Sequence, residues 1–312
     1  MMQRSAQIYT LVLTAFVTII AFASYRQKNA DPQGSAGAPS LATADDRIPQ
    51  VVKSVDLEGP FDFAGELLPM ENFDVRERLD RELLVNTYWH SSTMLNIKNT
   101  YKFFPVIERI LAENGIPDDF KYLAVAESNL RNETSPVGAK GFWQFMKNTG
   151  EYYGLEINSE VDERFHLEKA TQAACKYILD YKKRFGSWTL AAAAYNMGGT
   201  SLARNLETQR AEQFYDLNLN DETNRYIFRL VAIKEILKNP KKFGFYLEPE
   251  EAYQPLNYYQ IVEVKGPVPN WGDFAREHGT TYRMIKVYNP WLLDSNLTNR
   301  GGKTYEIRVP AK

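Results

Sequence analysis

The middle of the chain, from about residue 71 to residue 239, is patterned like a series of amphipathic helices. In residues 75–89, for example, Leu79, Leu83 and Tyr88 fall on one face and charged residues on the other, the spacing of a helix that packs against a core. Gly and Pro residues separate these segments, as they do at helix ends. The pattern predicts helices over residues 75–89, 101–114, 117–130, from Trp143 onward, 167–185, 188–197 and 223–238.

The pattern changes after a Pro-containing connector at about residues 247–255. Residues 258–266 and 305–310 alternate apolar and polar positions as strands do, and residues 270–279 and 281–292 have the pattern of two short helices. The tail is therefore predicted to be a small α+β unit with the order strand, helix, helix, strand.

The first segment has no charged residue from Ser5 to Tyr25, which is about the 20 residues that a membrane-spanning helix needs. Ala21-Phe22-Ala23 before Ser24 has the pattern of a signal peptidase site, so residues 1–27 are either a signal anchor or a cleaved signal peptide. Residues 28–50 lack aromatic residues and have the composition of a flexible linker. In both cases we expect the remainder to lie in the cell envelope, at the periplasmic face of a membrane or free in the periplasm.

Composition and charge narrow the functional classes. The formal net charge of −2 gives no electrostatic reason to expect a nucleic acid partner. Cys175 is the one cysteine, so neither an intramolecular disulfide nor a thiolate metal cluster can form. His90, His166 and His278 belong to no metal-binding pair, and the sequence contains no phosphate- or dinucleotide-binding motif. We therefore expect neither a metal nor a cofactor.

One candidate catalytic residue, Glu127, occupies an apolar stripe. In the predicted third helix, the stripe consists of Phe120, Leu123, Ala124, position 127 and Leu130. A buried carboxylate without a partner is unfavourable, so such a group pairs with a cation or stays protonated with a raised pKa. The alternative is a Glu at a helix end whose side chain simply reaches solvent.

The loop after this helix supports the catalytic interpretation. Gly138 and Gly141 permit backbone conformations, or a close approach of a ligand, that a side chain would prevent. Trp143 offers a flat aromatic ring, and Gln144 an amide that both donates and accepts hydrogen bonds. A protonated carboxyl facing these groups suits a sugar with an N-acetyl group and its glycosidic oxygen.

Four ordered motifs then resemble those of the lytic murein transglycosylases, and in particular their membrane-bound type D branch. The resemblance covers about residues 71–239. The motifs are Glu127-Ser128, Ser135-x-x-Gly138-Ala139-x-Gly141-x-Trp143-Gln144, Ala194-Tyr195-Asn196-x-Gly198 and Glu222-Thr223-x-x-Tyr226.

The resemblance implies an all-α, goose-type lysozyme-like catalytic domain in which a single Glu does the acid–base work. By position, Glu127 is then the catalytic acid and base, and Ser135 helps to orient it. The residues implied to bind the sugar, together with Ser135, are Gln144, Tyr195, Asn196, Glu222 and Tyr226.

The tail resembles a LysM peptidoglycan-binding module, so the expected fold is the all-α lysozyme-like domain followed by a small α+β (βααβ) LysM-like module. The expected division is a helical domain at residues 51–246, with its core at 98–240, and the module at 247–312. A purely structural module that no longer binds sugar is the alternative.

The expected function is that of a peptidoglycan lytic transglycosylase that cleaves the bond between N-acetylmuramic acid and N-acetylglucosamine and leaves a 1,6-anhydromuramyl end. The expected partners are glycan strands and, through the N-terminal segment, a membrane. A hydrolytic muramidase is one alternative, because the sequence cannot place Asp162, Glu163, Glu168 or Asp180 relative to Glu127. A non-catalytic wall-binding or scaffolding protein is the other alternative.

Overall fold

The helical segment and the tail are both described by a computed structural model, which covers residues 53–311. The predicted anchor or signal peptide at 1–27 and the linker at 28–50 lie outside the described residues. Among the helices of residues 53–311, none has both the length and the apolar composition required to cross a membrane.

The helical domain begins with a short hairpin, each strand of which has two residues, followed by two long helices. Strands β1 (Asp62–Phe63) and β2 (Glu66–Leu67) pair antiparallel and precede helix α1 (Phe73–Tyr88). Helix α2 spans His90–Glu113, eleven residues longer at its start than predicted. Pro105 lies inside α2 on its exposed side, where a missing backbone hydrogen bond costs less than it would in the core.

Helix α3 (Lys121–Ser128) follows a 3₁₀ turn at Asp118–Phe120 and is shorter than predicted. Asn129 and Leu130 both adopt a left-handed conformation, with φ of 52° and 54°, and so end the helix just after Glu127-Ser128. Helix α4 spans Lys147–Tyr152, so the prediction that Trp143 opens this helix is wrong. Instead, Lys140 and Phe145 exchange two backbone hydrogen bonds of 3.1 Å and close a tight turn.

The remaining helices of the domain surround an alanine-rich centre. Helix α5 (Leu167–Phe185) and helix α6 (Trp188–Met197) have the predicted bounds. Four consecutive alanines of α6, Ala191–Ala194, are fully buried, and their small side chains allow α6 to pack closely against α5 and against helix α8 (Asp221–Lys238). Helix α7 (Gly199–Gln209) was not predicted, because Gly198-Gly199 has the pattern of a helix end.

The tail has the predicted order of elements. Strands β3 (Tyr259–Val264) and β4 (Tyr305–Pro310) pair antiparallel, and helices α9 (Trp271–Glu277) and α10 (Tyr282–Tyr288) lie between them in sequence. Their core contains the fully buried Trp271, Ile285 and Ile307. Val161, from the helical domain, is also fully buried in this cluster.

Several further contacts join the tail to the segment that precedes α5. The backbone N–H of Asp162 donates to the carbonyl oxygen of Trp291 at 2.9 Å, and that of Leu293 donates to Glu160 at 2.8 Å. The Tyr305 hydroxyl donates to the Glu156 carboxylate at 3.0 Å. The tail is therefore docked through backbone pairing and a shared core, although its sequence suggests a separate module.

Candidate active site

All seven candidate residues lie around one cavity of about 380 Å³ in the helical domain. The cavity is bounded by the end of α3, the loop between α3 and α4, the end of α6 and the start of α8. Its lining includes Glu127, Ser135, Gln144, Tyr195, Asn196, Glu222 and Tyr226.

Glu127 lies in the last turn of α3 and keeps part of its surface accessible at the cavity. Its neighbour Ser128 is buried, and the Ser128 hydroxyl lies 2.9 Å from the carbonyl oxygens of Ala124 and Phe142. This contact ties the end of α3 to the following loop. Glu127 therefore lies at a helix end, as the alternative interpretation of the sequence expected, and its carboxyl faces the cavity.

Burial raises the pKa of Glu127 to about 7, because desolvation disfavours the charged carboxylate. The Tyr226 hydroxyl donates to Oε1 of Glu127 at 2.6 Å and lowers this pKa by stabilising the charged form. The negative charge of Glu222 raises it, and the positive charge of Arg229 lowers it. Near neutral pH, this carboxyl can therefore both release and accept a proton.

The two tyrosines at the cavity are held by their hydroxyl groups. Burial raises the pKa of Tyr195 and of Tyr226 well above the ordinary value, so both stay neutral. The Tyr195 hydroxyl donates to the carbonyl oxygen of Trp143 at 2.7 Å and so connects α6 to the loop. Tyr226 acts directly on Glu127, whereas Tyr195 positions the backbone beside it.

The loop between α3 and α4 supplies the opposite wall. Gln144 has a φ of 46°, and its amide nitrogen donates to the carbonyl oxygen of Gly141 at 2.9 Å. Gly141 has a φ of 79°, and a Cβ there would lie 1.9 Å from the carbonyl oxygen of Arg164. The close approach expected at this glycine is thus to the protein's own backbone.

The prediction that Trp143 offers its ring to a sugar is wrong. It is fully buried, and its indole nitrogen donates to the Thr171 hydroxyl at 2.9 Å. Since the ring packs in the core, it offers no flat surface to a sugar.

The contact of Ser135 also differs from the expected one. Its hydroxyl accepts a hydrogen bond of 3.0 Å from the backbone N–H of Ala139, whereas the hydrogen bond to Glu127 comes from Tyr226. Ser135 does line the cavity. Its hydroxyl shapes the loop in this structure, and its role towards Glu127 stays a prediction.

Asn196 and Glu222 lie at the facing ends of α6 and α8. The Thr223 hydroxyl donates to Oδ1 of Asn196 at 3.0 Å and joins the two helix ends. Glu222 is exposed in the first turn of α8 and lines the cavity. A second carboxylate therefore lies at the same site as Glu127.

Sequence reasoning missed Arg229 and the residue that holds it. Arg229 lines the cavity three residues after Tyr226. Its Nε lies 3.6 Å from Oε2 of Glu82, a fully buried carboxylate of α1, while Arg225 donates to the other oxygen at 2.5 Å. Glu82 lies next to the apolar stripe of α1. A carboxylate on an apolar helix face is the signal that identified Glu127, and it could have identified Glu82 as well.

The other acidic residues considered from the sequence are engaged elsewhere. Asp162 pairs with Arg164 at 2.7 Å, Glu163 with Lys169, and Glu168 with Arg308 at 2.5 Å. Asp180 accepts a hydrogen bond of 2.9 Å from Tyr153. None of the four lines the cavity around Glu127. Within residues 53–311, no group of three or more His, Cys, Asp or Glu side chains is arranged to hold a metal ion.

Comparisons with known families match two segments of the chain. Residues 104–218 match the family described as transglycosylase SLT domain, a range that contains Glu127, Ser135, Gln144, Tyr195 and Asn196. Residues 260–312 match the soluble lytic transglycosylase C-terminal LysM-like domain.

Curated relatives and a solved structure extend these matches. The chain is 29% identical over 259 residues to membrane-bound lytic murein transglycosylase D of Escherichia coli strain K12, covering 80% of this chain and 55% of that protein. The protein of the same name from E. coli O6:H1 gives the same values. The chain thus spans about half the length of the curated relatives that it matches.

Among solved structures, the chain is similar to an inactive mutant of the lytic transglycosylase Slt from Pseudomonas aeruginosa, with 21% sequence identity. The matched region covers 48% of this chain and 26% of the Slt chain, with a TM-score of 0.37. By these matches, residues 104–218 are similar to transglycosylase SLT domains, and residues 260–312 are similar to the C-terminal LysM-like domain of soluble lytic transglycosylases.

Proposed function

We propose that this protein is a peptidoglycan lytic transglycosylase in which Glu127 is the catalytic acid and base. The observation that carries the proposal is a carboxyl group with a pKa of about 7, desolvated at a cavity and hydrogen-bonded by Tyr226. The SLT domain and the lytic murein transglycosylase names of the curated relatives support the same reaction class.

The proposed reaction needs one carboxyl in two protonation states. Protonated Glu127 donates its proton to the glycosidic oxygen between N-acetylmuramic acid and N-acetylglucosamine, and that bond breaks. The resulting carboxylate accepts the proton of the muramyl C6 hydroxyl, whose oxygen bonds to C1. No water is consumed, the end is a 1,6-anhydro ring, and Glu127 regains its proton.

The substrate-binding roles are part of the proposal. Four of these residues line the same cavity as Glu127: Gln144, Tyr195, Asn196 and Glu222. Ser135 lines it as well. Their amide, hydroxyl and carboxylate groups suit the polar edges of an N-acetylated sugar.

A hydrolytic muramidase is the second candidate, because Glu222 places a second carboxylate at the cavity and hydrolytic glycosidases commonly use two. Mass spectrometry of digested peptidoglycan separates the two reactions. The lyase leaves muramyl ends that are lighter by one water and resist borohydride reduction. Reducible ends that carry label from heavy-oxygen water would establish the hydrolase instead.

The proposed location is the cell envelope, with residues 1–27 as an anchor or signal peptide, and the proposed partner is the glycan strand. The membrane-bound name of the curated relatives and the LysM-like domain support this location. N-terminal sequencing of the mature protein tests the anchor, which a start at Ser24 would exclude. Co-sedimentation of the Glu127→Gln chain with purified wall sacculi tests wall binding without digestion of the wall.

A further inference from the structure

Glu82 is a buried carboxylate to which the proposed reaction assigns no part. It lies in α1, outside the residues 104–218 that match the transglycosylase SLT domain. It is fully buried and does not line the cavity around Glu127. Burial of a carboxylate costs free energy unless cations and hydrogen bonds compensate for its lost hydration, so the partners of Glu82 indicate what this residue does.

Three arginines surround Glu82, and they contact its two oxygens unequally. Arg225 of α8 donates to Oε1 at 2.5 Å, and Arg81 donates to the same oxygen at 3.1 Å. Oε2 is buried and accepts no hydrogen bond. It faces Arg229 of α8, whose Nε lies 3.6 Å away. Arg229 is therefore held at Glu82 by charge, and not by a direct hydrogen bond.

Arg229 also lines the cavity, where two other carboxyl groups, those of Glu127 and Glu222, are present. Arginine forms strong ion pairs with carboxylates, and such a pair favours the charged form of the acid. Among residues 53–311, however, the ion pair of Arg229 within 4 Å is the one with Glu82. The pKa of Glu127 accordingly stays at about 7, although the charge of Arg229 lowers it.

We propose that Glu82 is a positioning residue of the active site: it holds Arg229 beside the cavity and prevents the guanidinium from forming an ion pair with Glu127. This inference rests on the proposed function, because a Glu127 kept ionised by such a pair could not donate a proton to the glycosidic oxygen. The charges that act directly on the pKa of Glu127 are those of Glu222 and Arg229, so Glu82 acts through Arg229. The functional unit then includes α1 as well as the residues that match the SLT domain.

Titration of Glu127 by carbon NMR tests the proposal on the full chain, labelled at the glutamate side-chain carboxyl carbons. The Glu127 signal is the one that disappears in Glu127→Gln. In Glu82→Gln, Arg229 loses its partner, and the carboxylates left beside it are those of the cavity. The titration midpoint of Glu127 should therefore fall from about 7 by about 1 pH unit or more. An unchanged or higher midpoint would overturn the proposal.

Two further variants separate release of Arg229 from other effects of the substitution. Arg229→Gln, added to Glu82→Gln, should return the midpoint to the wild-type value or above it, because no guanidinium is left to pair with Glu127. Arg225→Gln is the matched control, since it disturbs the same cluster at Oε1 but leaves the Glu82 charge to attract Arg229, so the midpoint should not fall. A low midpoint in either variant would overturn the proposal.

Thermal melting of each variant reports folding. If Glu82→Gln does not fold, Glu82→Asp takes its place. The shorter side chain keeps the buried charge and the direct hydrogen bond from Arg225 but loses the longer contact with Arg229. The midpoint should fall in this variant too, and an unchanged midpoint would count against the proposal in the same way.

The NMR midpoint requires no cleavage, so it distinguishes failure of this proposal from failure of the proposed function. In Glu82→Gln the alkaline limb of kcat/KM on soluble glycan fragments should move to lower pH together with the midpoint. A midpoint that falls while the limb stays would support the positioning role of Glu82 and show that Glu127 is not the catalytic acid. A midpoint that does not fall would overturn the positioning role whatever the cleavage assay gives.

Discussion

The Tyr226 hydroxyl donates a 2.6 Å hydrogen bond to Oε1 of Glu127, across 99 positions of sequence. This bond joins the end of α3 to the first turns of α8. It favours the carboxylate, whereas burial favours the neutral acid. The proton affinity of Glu127 is thus set by two opposing effects that arise from different parts of the fold.

Glu127→Gln should abolish glycan cleavage while preserving the fold. A neutral amide cannot release and recover a proton, so the loss should exceed the about 10²–10⁴-fold typical of an auxiliary acid–base group. The measurement is release of soluble fragments from purified peptidoglycan. Full cleavage by this variant would show that Glu127 is not the catalytic acid and base, whereas absence of cleavage by the wild type as well would favour the non-catalytic scaffold interpretation.

The same variant should show a pH-dependent gain in stability. Because the pKa of Glu127 is about 7 when folded and 4.5 as the reference value, the folded state binds this proton more tightly. Its contribution to the free energy of unfolding is complete below about pH 4.5 and is lost as the pH rises through about 7. At about 1.4 kcal/mol per pKa unit, the Gln variant should gain on the order of 3 kcal/mol over the wild type between pH 4 and pH 8. Urea unfolding at both pH values measures the difference, and a constant difference would contradict the raised pKa.

Tyr226→Phe should slow cleavage about 10- to 100-fold, the effect of losing a hydrogen bond to a charged group. It should also move the alkaline limb of the rate profile to higher pH, because the lost bond had lowered the pKa of Glu127. Tyr153→Phe is the matched control, since its hydroxyl donates to Asp180 outside the cavity. An unshifted limb in Tyr226→Phe would show that the hydrogen bond does not set this pKa.

Glu222→Gln and Arg229→Gln should shift that limb in opposite directions. Glu222 raises the pKa of Glu127 and Arg229 lowers it, so the limb should move to lower pH in the first variant and to higher pH in the second. The measurement is kcat/KM from pH 5 to 9 on soluble glycan fragments, at low salt so that screening is weak. Shifts in the same direction would exclude a charge effect on Glu127.

Gly141→Ala should destabilise the protein more than Gly138→Ala. Both glycines have positive φ, which costs an alanine about 1–2 kcal/mol. A Cβ at Gly141 would also lie 1.9 Å from a backbone oxygen, whereas Gly138 has no atom within 4 Å of the added Cβ. The loss at Gly141 should therefore exceed about 3 kcal/mol by urea unfolding. Equal losses would mean that the backbone around Arg164 moves freely.

Local sequence signals predicted much of this fold. Helix α5 ends at Gly186, in a left-handed conformation, and α6 begins after the Ser187 cap, so both bounds could be inferred from single residues. Glu127 could be found because a carboxylate in an apolar stripe is unfavourable unless it is paired or neutral.

The features that the sequence did not reveal, helix α7 and the position of Arg229, depend on contacts between residues that are far apart in the chain. Gly199 is the first residue of α7, and a glycine is needed there because a Cβ would lie 2.4 Å from the Tyr181 ring. Arg229 reaches the cavity because its partner Glu82 is buried on a helix more than a hundred residues earlier. Neither contact follows from the spacing of nearby residues.

The position of Val161 has a consequence for recombination between proteins of this architecture. This residue comes from the helical domain but fills part of the tail's core, beside the Asp162 and Glu160 backbone pairing with the tail. A chimera that exchanged residues 247–312 alone would separate the tail from one of its own core side chains. The tail can therefore be inherited as a working unit only together with residues 156–168, the loop before α5 and the first residues of that helix, which are distant from the tail in the gene.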